Sequence, residues 1–181
     1  VTYYYFVASL PSLVLGSPPP LRMDDFRAHA DRLLAPPDAA RVRALLAGDT
    51  AAAGGGLPER WAATEGQLRN ATARTRAARL EMDAAPFLQA HAGFSQAIEM
   101  AVLDAYAKPN PLERELHLDR FRWSLLDEFA RGEPFGMAAV LAYALKLRLC
   151  ERWAALSDEA GRTRLKDAVA AVRAAVPVEA A

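Results

Sequence analysis

Three side chains in this sequence could carry chemistry alone. Lys146 stands among aromatic and apolar residues, Cys150 follows one helical turn later, and His91 lies between Phe87 and Phe94. A desolvated lysine can form a Schiff base, a cysteine can attack as its thiolate, and a histidine can act as base or metal ligand. Each also has a structural role open to it. Lys146 can pair with a carboxylate of the preceding helix, Asp119, Asp127 or Glu128. Cys150 can be a buried, inert thiol, and His91 a packed ring with one nitrogen satisfied. No H-E-x-x-H motif, Cys/His cluster, phosphate loop or nucleophile elbow accompanies them, so no metal, cofactor or catalytic set is expected.

A fourth group is cationic. Arg69, Arg76 and Arg79 fall on one helical face and could hold phosphate or an acidic partner. Glu65, four residues before Arg69, favours a solvated face, and no aromatics interleave for base stacking. Nucleic acid is therefore not the expected partner.

Helices must position all of these residues. Leu57, Trp61, Thr64, Leu68, Ala71, Thr75, Ala78 and Met82 recur in steps of four and three. After a break at Asp83–Pro86, the residues Phe87, His91, Phe94, Ile98, Ala101 and Ala105 repeat those steps. The spacing predicts a long antiparallel hairpin from Leu57 to Ala107. A third helix is predicted over Leu112–Arg131, a fourth over Pro134–Leu156, and a last one capped by Ser157-Asp158 and closed by Pro177. The expected fold is all-α, with the last three helices packed together.

The segment Pro134–Leu156 is apolar nearly all round, so it should be central and contacted on two sides. One contact is expected within the chain and the other from a separate protein. The N-terminus, with Tyr3, Tyr4, Tyr5 and Phe6, reads as extended or as one short helix. Pro18 to Pro20 then form a stiff connector. Helices near Asp24–Leu34 and Pro36–Ala47 complete a possible N-terminal lobe, 1–47, and "GDTAAAGGG" over 48–56 reads as a flexible linker within a single domain, 1–181.

The bulk numbers agree with a globular chain. Of 181 residues, 52% are hydrophobic and 24% charged, which gives a real core. Lys plus Arg is 22 and Asp plus Glu is 22, so no global field draws nucleic acid or an anionic membrane. One cysteine allows no disulfide within the chain. Thr2–Leu10 lacks the basic flank of a signal peptide, and no run approaches ~20 apolar residues. These features place the protein in the cytoplasm, where the sequon Asn70-Ala71-Thr72 carries no meaning.

Two blocks, "YYYFVASLPSL" and "LDRFRWSLLDEFARGEPFGMAAVLAYALKLRLCERWAALSDEAGRTRL", resemble an uncharacterised bacterial family found with V-type (A-type) ATP synthase genes. The matching words are Leu118 to Trp123, Asp127-Glu128, Val140 to Tyr143 with Lys146-Leu147, and Glu151-Arg152-Trp153. "AVLAYALKLRLCERW" is also similar in pattern to helices of the V-type ATPase socket protein, the C component (d in the eukaryotic enzyme). That component is all-helical and joins the rotor shaft to the membrane ring.

The chain is shorter than that component, so the resemblance implies a shortened equivalent or an assembly factor, without an active site of its own. Rotor-shaft or membrane-ring subunits would be its partners, reached at the cytoplasmic face of the membrane. Tyr3, Tyr4, Tyr5, Phe6, Trp123, Tyr143 and Trp153 are the candidate interface residues, since aromatics contribute strongly at interfaces. The alternative is a small helical enzyme or ligand-binding domain with Lys146 and His91 in one pocket.

Overall fold

A computed structural model describes residues 2–156 and 158–175, with side chains omitted at 158–160 and 172–175. Every regular element among them is helical: α1 (Tyr4–Ser9), α2 (Met23–Leu33), α3 (Pro36–Ala47), α4 (Leu57–Arg79), α5 (Gln96–Tyr106), α6 (Pro111–Ala130), α7 (Met137–Ala154) and α8 (Asp158–Ala175), with one 3-10 turn at Ala85–Phe87.

Local chemistry sets the boundaries. Asn110 caps α6: its Oδ1 accepts from the Glu113 N–H at 2.8 Å and its Nδ2 donates to the Glu113 carboxylate at 2.6 Å. Pro111 occupies the first turn, where its missing N–H costs nothing. Gly48 ends α3 in the left-handed conformation, φ 85°, and the Asp49 N–H reaches back to the Ala44 carbonyl at 2.9 Å. The start of α7 is Met137 and not Pro134, because Glu133–Gly136 closes a turn first, with the Gly136 N–H on the Glu133 carbonyl at 3.0 Å.

The N-terminal aromatics adopt the short-helix option, α1. From there the connector runs along α7. The Tyr3 N–H donates to the Phe135 carbonyl at 2.6 Å, the Tyr143 hydroxyl to the Pro11 carbonyl at 2.9 Å, and Cys150 Sγ to the Val14 carbonyl at 3.5 Å. At the far end the Met23 N–H, opening α2, donates to the Glu151 carboxylate at 2.7 Å. Phe6, Phe26, Val42 and Leu45 then join Leu141, Leu145 and Leu147 of α7 in the larger of two cores. The second side of α7 is thus covered by this chain's own N-terminal helices. A separate protein is not needed there. The segment 48–56 is wound into turns and tied to α3, with Arg41 Nε donating to the Ala53 carbonyl at 2.8 Å.

The smaller core joins Leu68 and Ala71 of α4, Ile98, Val102, Ala105 and Tyr106 of α5, and Leu118 of α6. Its geometry departs from the predicted hairpin in one respect. Residues 80–95 are not the first half of a return helix. They run back along α4, so α5 starts beside Gln67 and climbs in the same direction as α4. Two buried amides of α4 hold this return. Asn70 exchanges two hydrogen bonds with the Gln89 peptide, at 2.7 and 2.9 Å. Gln67 does the same with Ser95, at 2.8 Å each.

Those peptide groups would otherwise bond within a helix, which is why none forms there. Gly66 makes the close approach possible: a Cβ there would lie 2.8 Å from the His91 Cβ. The long helix that runs antiparallel to α4 is α6, reached through side-chain bridges, Arg60–Glu128 at 3.4 Å and Glu65–Arg122 at 2.7 Å, while α5 packs closest on α4.

In the C-terminal part α6 and α7 pack antiparallel. The third member, α8, leaves every described side chain from 161 to 171 exposed, so the packed unit there comprises two helices. The expected cap Ser157 and stop Pro177 lie outside the described residues.

Candidate functional site

Asp119 is the centre of the polar interior. Its carboxylate is fully buried between α6 and α7. Oδ1 accepts from Arg122 Nη1 at 2.9 Å, one turn along α6. Oδ2 accepts from the Trp153 indole at 2.7 Å and from Arg152, both on α7. Arg122 continues the network to α4, donating to both Glu65 oxygens at 2.7 and 3.2 Å. Burial alone would lower the Arg122 pKa, but Glu65 and Asp119 outweigh it and hold the guanidinium above its ordinary range. Three helices are thereby braced through one carboxylate.

Asp119 is therefore not the partner of Lys146. In the antiparallel register, Asp127 stands opposite Lys146, which puts Asp119 opposite Trp153. Lys146 pairs with Asp127, and its ammonium lies 4.7 Å from the centre of the Trp123 ring. Glu128 faces α4 and takes Arg60, whose guanidinium also covers the Phe129 ring at 3.9 Å. Of the three carboxylates considered for Lys146, one is its partner.

Beside Lys146 the Tyr143 phenol and the Cys150 thiol are held neutral. Burial, with a smaller effect from Cys150, pushes Tyr143 up to about 12. Burial raises the Cys150 thiol, and Lys146 offsets that only in part. An open hollow of about 290 Å³ adjoins Lys146, lined by Asp127, Arg131, Pro134 and Tyr143. His91 is not among its walls; it sits on the return segment against Gly66, and the two proposed pocket residues do not meet. Phe87 and Phe94, its expected stripe neighbours, are 55% and 74% exposed.

The seven candidate interface aromatics divide. Tyr3 and Phe6 are core residues: the Tyr3 hydroxyl donates to Asp38 at 2.5 Å, and Phe6 packs against Phe26. Tyr143 stacks on Phe26 with ring centres 5.5 Å apart, Trp123 carries Lys146, and Trp153 is held by Asp119. Tyr4 and Tyr5 face solvent at 64% and 76% exposure. Phe135, which the sequence did not single out, joins them, its ring 4.6 Å from that of Tyr4.

The three arginines of α4 also part company. Arg69 donates to the Gln89 side chain at 2.6 Å and Arg79 to the Tyr106 carbonyl at 2.6 Å. Arg76 borders an apolar hollow of about 360 Å³ with Leu80, Met82 and Phe87. Glu65 bonds to Arg122 across helices, not to Arg69 along its own. Asn70 of the sequon is buried and committed to Gln89.

Among the described residues no group of three or more His, Cys, Asp or Glu could hold a metal, and no helix is long and apolar enough to cross a membrane. What the fold and its brace define is an all-helical protein with two cores joined by α4 and α6. Residues 59–175, α4 through α8, match the family described as "Protein of unknown function (DUF2764)", and the chain belongs to that family. The matched stretch includes the block from Leu118 to Leu165 and stops short of the N-terminal aromatic block. No curated protein and no solved structure matches the chain.

Proposed function

We propose that the protein is a non-catalytic helical connector of a bacterial V-type (A-type) rotary ATPase, similar to that enzyme's socket component. It would act as a permanent part or an assembly factor between rotor shaft and membrane ring, at the cytoplasmic face. One observation carries this reading: exposed apolar side chains cluster at both ends of one braced helical body. Tyr4, Tyr5 and Phe135 lie at the end where α6 meets α7. Leu80, Met82 and Phe87 lie at the other, where α4 finishes. Between them run the 23 residues of α4, ~35 Å at ~1.5 Å per residue.

The sequence words that carry the ATPase resemblance fall on the brace itself. Leu118 to Trp123 holds Asp119 and Arg122, and Glu151-Arg152-Trp153 holds their partners. A part that transmits force between two bodies needs that stiffness and two docking ends, not a reactive side chain.

The test is native mass spectrometry of complexes recovered through a tag on this chain at native expression. Stoichiometric rotor-shaft or membrane-ring subunits are expected. Recovery of a lone monomer, or of partners unrelated to the ATPase, would end the proposal. Tyr4→Ser with Tyr5→Ser should release one partner, and Met82→Ser with Phe87→Ser the other, each with an unchanged melting temperature.

A further inference from the structure

A cleft of about 540 Å³ opens beside the brace, between α4, α6 and α7. Four guanidiniums line it, Arg69, Arg122, Arg148 and Arg152, against two carboxylates, Glu65 and Asp119. Those carboxylates are saturated. Both Glu65 oxygens accept from Arg122, and Asp119 accepts from Arg122, Arg152 and Trp153. Two cations remain in surplus. Arg69 donates only to the neutral Gln89 amide oxygen. Arg148 makes no direct hydrogen bond or ion pair among the described residues. Desolvation in the cleft pushes Arg148 below its ordinary range, and Glu65, acting at a distance, offsets that in part. Arg69 and Arg148 are both exposed to solvent, so their guanidiniums are open to an anion entering the cleft.

We propose that this cleft binds a small phosphate-bearing anion, gripped by Arg69 and Arg148 while Arg122 and Arg152 form its fixed walls. Guanidinium is a planar fork that matches phosphate oxygens two at a time. Two separate forks need a ligand with several anionic oxygens, which a diphosphate supplies. The volume lies within the ~300–1,000 Å³ usual for small-ligand sites. Glu65 and Asp119 hold the walls in place before the ligand arrives, so little reorganisation is required. The site stands whether or not the chain belongs to a rotary ATPase.

Isothermal titration calorimetry on the full chain tests it, with pyrophosphate and ADP as probes at low ionic strength. One site per chain is expected for pyrophosphate. Arg69→Gln and Arg148→Gln should each weaken it about tenfold, the loss of roughly one charge-assisted contact. Arg148→Lys, which keeps the charge and loses the fork, should fall between. Circular-dichroism melts confirm that the variants fold. ADP binding more tightly than pyrophosphate would identify a nucleotide as the source of the phosphates; the reverse order would identify a free phosphate compound. No heat at millimolar concentrations of either probe overturns the proposal, as does equal affinity in the folded Arg69→Gln and Arg148→Gln variants.

Discussion

The Trp153 indole donates to Oδ2 of Asp119 at 2.7 Å, joining the last turn of α7 to the middle of α6 inside the protein. The same carboxylate holds Arg122 and Arg152, so removing it takes one acceptor from each of two cations and leaves the Trp153 indole without its partner. Asp119→Ala should cost about 3–5 kcal/mol, as expected when one partner of a buried ion pair is lost. Urea unfolding followed by tryptophan fluorescence measures this. A loss below about 1 kcal/mol would mean that the brace contributes little.

The amides of Gln67 and Asn70 hold the return segment. Asn70→Ala deletes both bonds to the Gln89 peptide and leaves its polar groups without those partners. A destabilisation of about 1–3 kcal/mol is expected. Hydrogen exchange should accelerate at the Gln89 amide while α7 keeps its protection. Uniform acceleration everywhere would contradict a local role.

Acid should loosen the contact between α4 and α5. Burial alone would raise the Glu99 pKa, but hydrogen bonds from Gln67 and Arg74, with the Arg74 charge, carry it below its ordinary value of 4.5. The unfolded chain therefore binds that proton first. The stabilisation is fully present above 4.5 and is lost as pH falls through the lower folded value. Glu99→Gln should flatten this part of the stability profile, measured by urea midpoints from neutral pH downward. A slope in the variant as steep as in the parent would remove Glu99 as its source.

Lys146→Met separates a structural cation from a reactive one. The partner Asp127 is largely exposed, so the ion pair is worth about 0.2–1 kcal/mol and the contact with Trp123 about as much again. Methionine keeps the apolar stem, and the fold should survive with a loss of about 0.4–2 kcal/mol. Borohydride trapping with a simple aldehyde under native conditions, read by peptide mapping, should not single out Lys146 over exposed lysines. Selective trapping there would favour the pocket reading.

Periodicity and punctuation made the helical class and the courses of α4, α6 and α7 legible. What misled was the stretch around His91. Phe87, His91, Phe94 and Ile98 obey helical spacing, yet the first three precede α5, and Gly93 has φ 70°. The contrary signal lay in polar Gln67 and Asn70 within an otherwise small-residue face, whose peptide partners no spacing rule names. The carboxylate for Lys146 was narrowed to three because register, not composition, decides it. Both faces of α7 were recognised as contacted. That the second is met by residues 3–45 could not be read, since a connector containing four prolines shows no period.

The seam between the N-terminal connector and α7 also bears on how the chain is made. Tyr3, Pro11, Val14 and Met23 find their partners at Phe135, Tyr143, Cys150 and Glu151, more than a hundred positions downstream. A ribosome adding ~5–20 residues per second leaves Phe6, Phe26 and Val42 without their α7 cover for roughly 5–30 s. The core of α4, α5 and α6 faces no such delay, because its parts emerge consecutively. The nascent chain thus exposes this oily segment well before α7 can clothe it, which makes the segment a natural client for chaperones during translation.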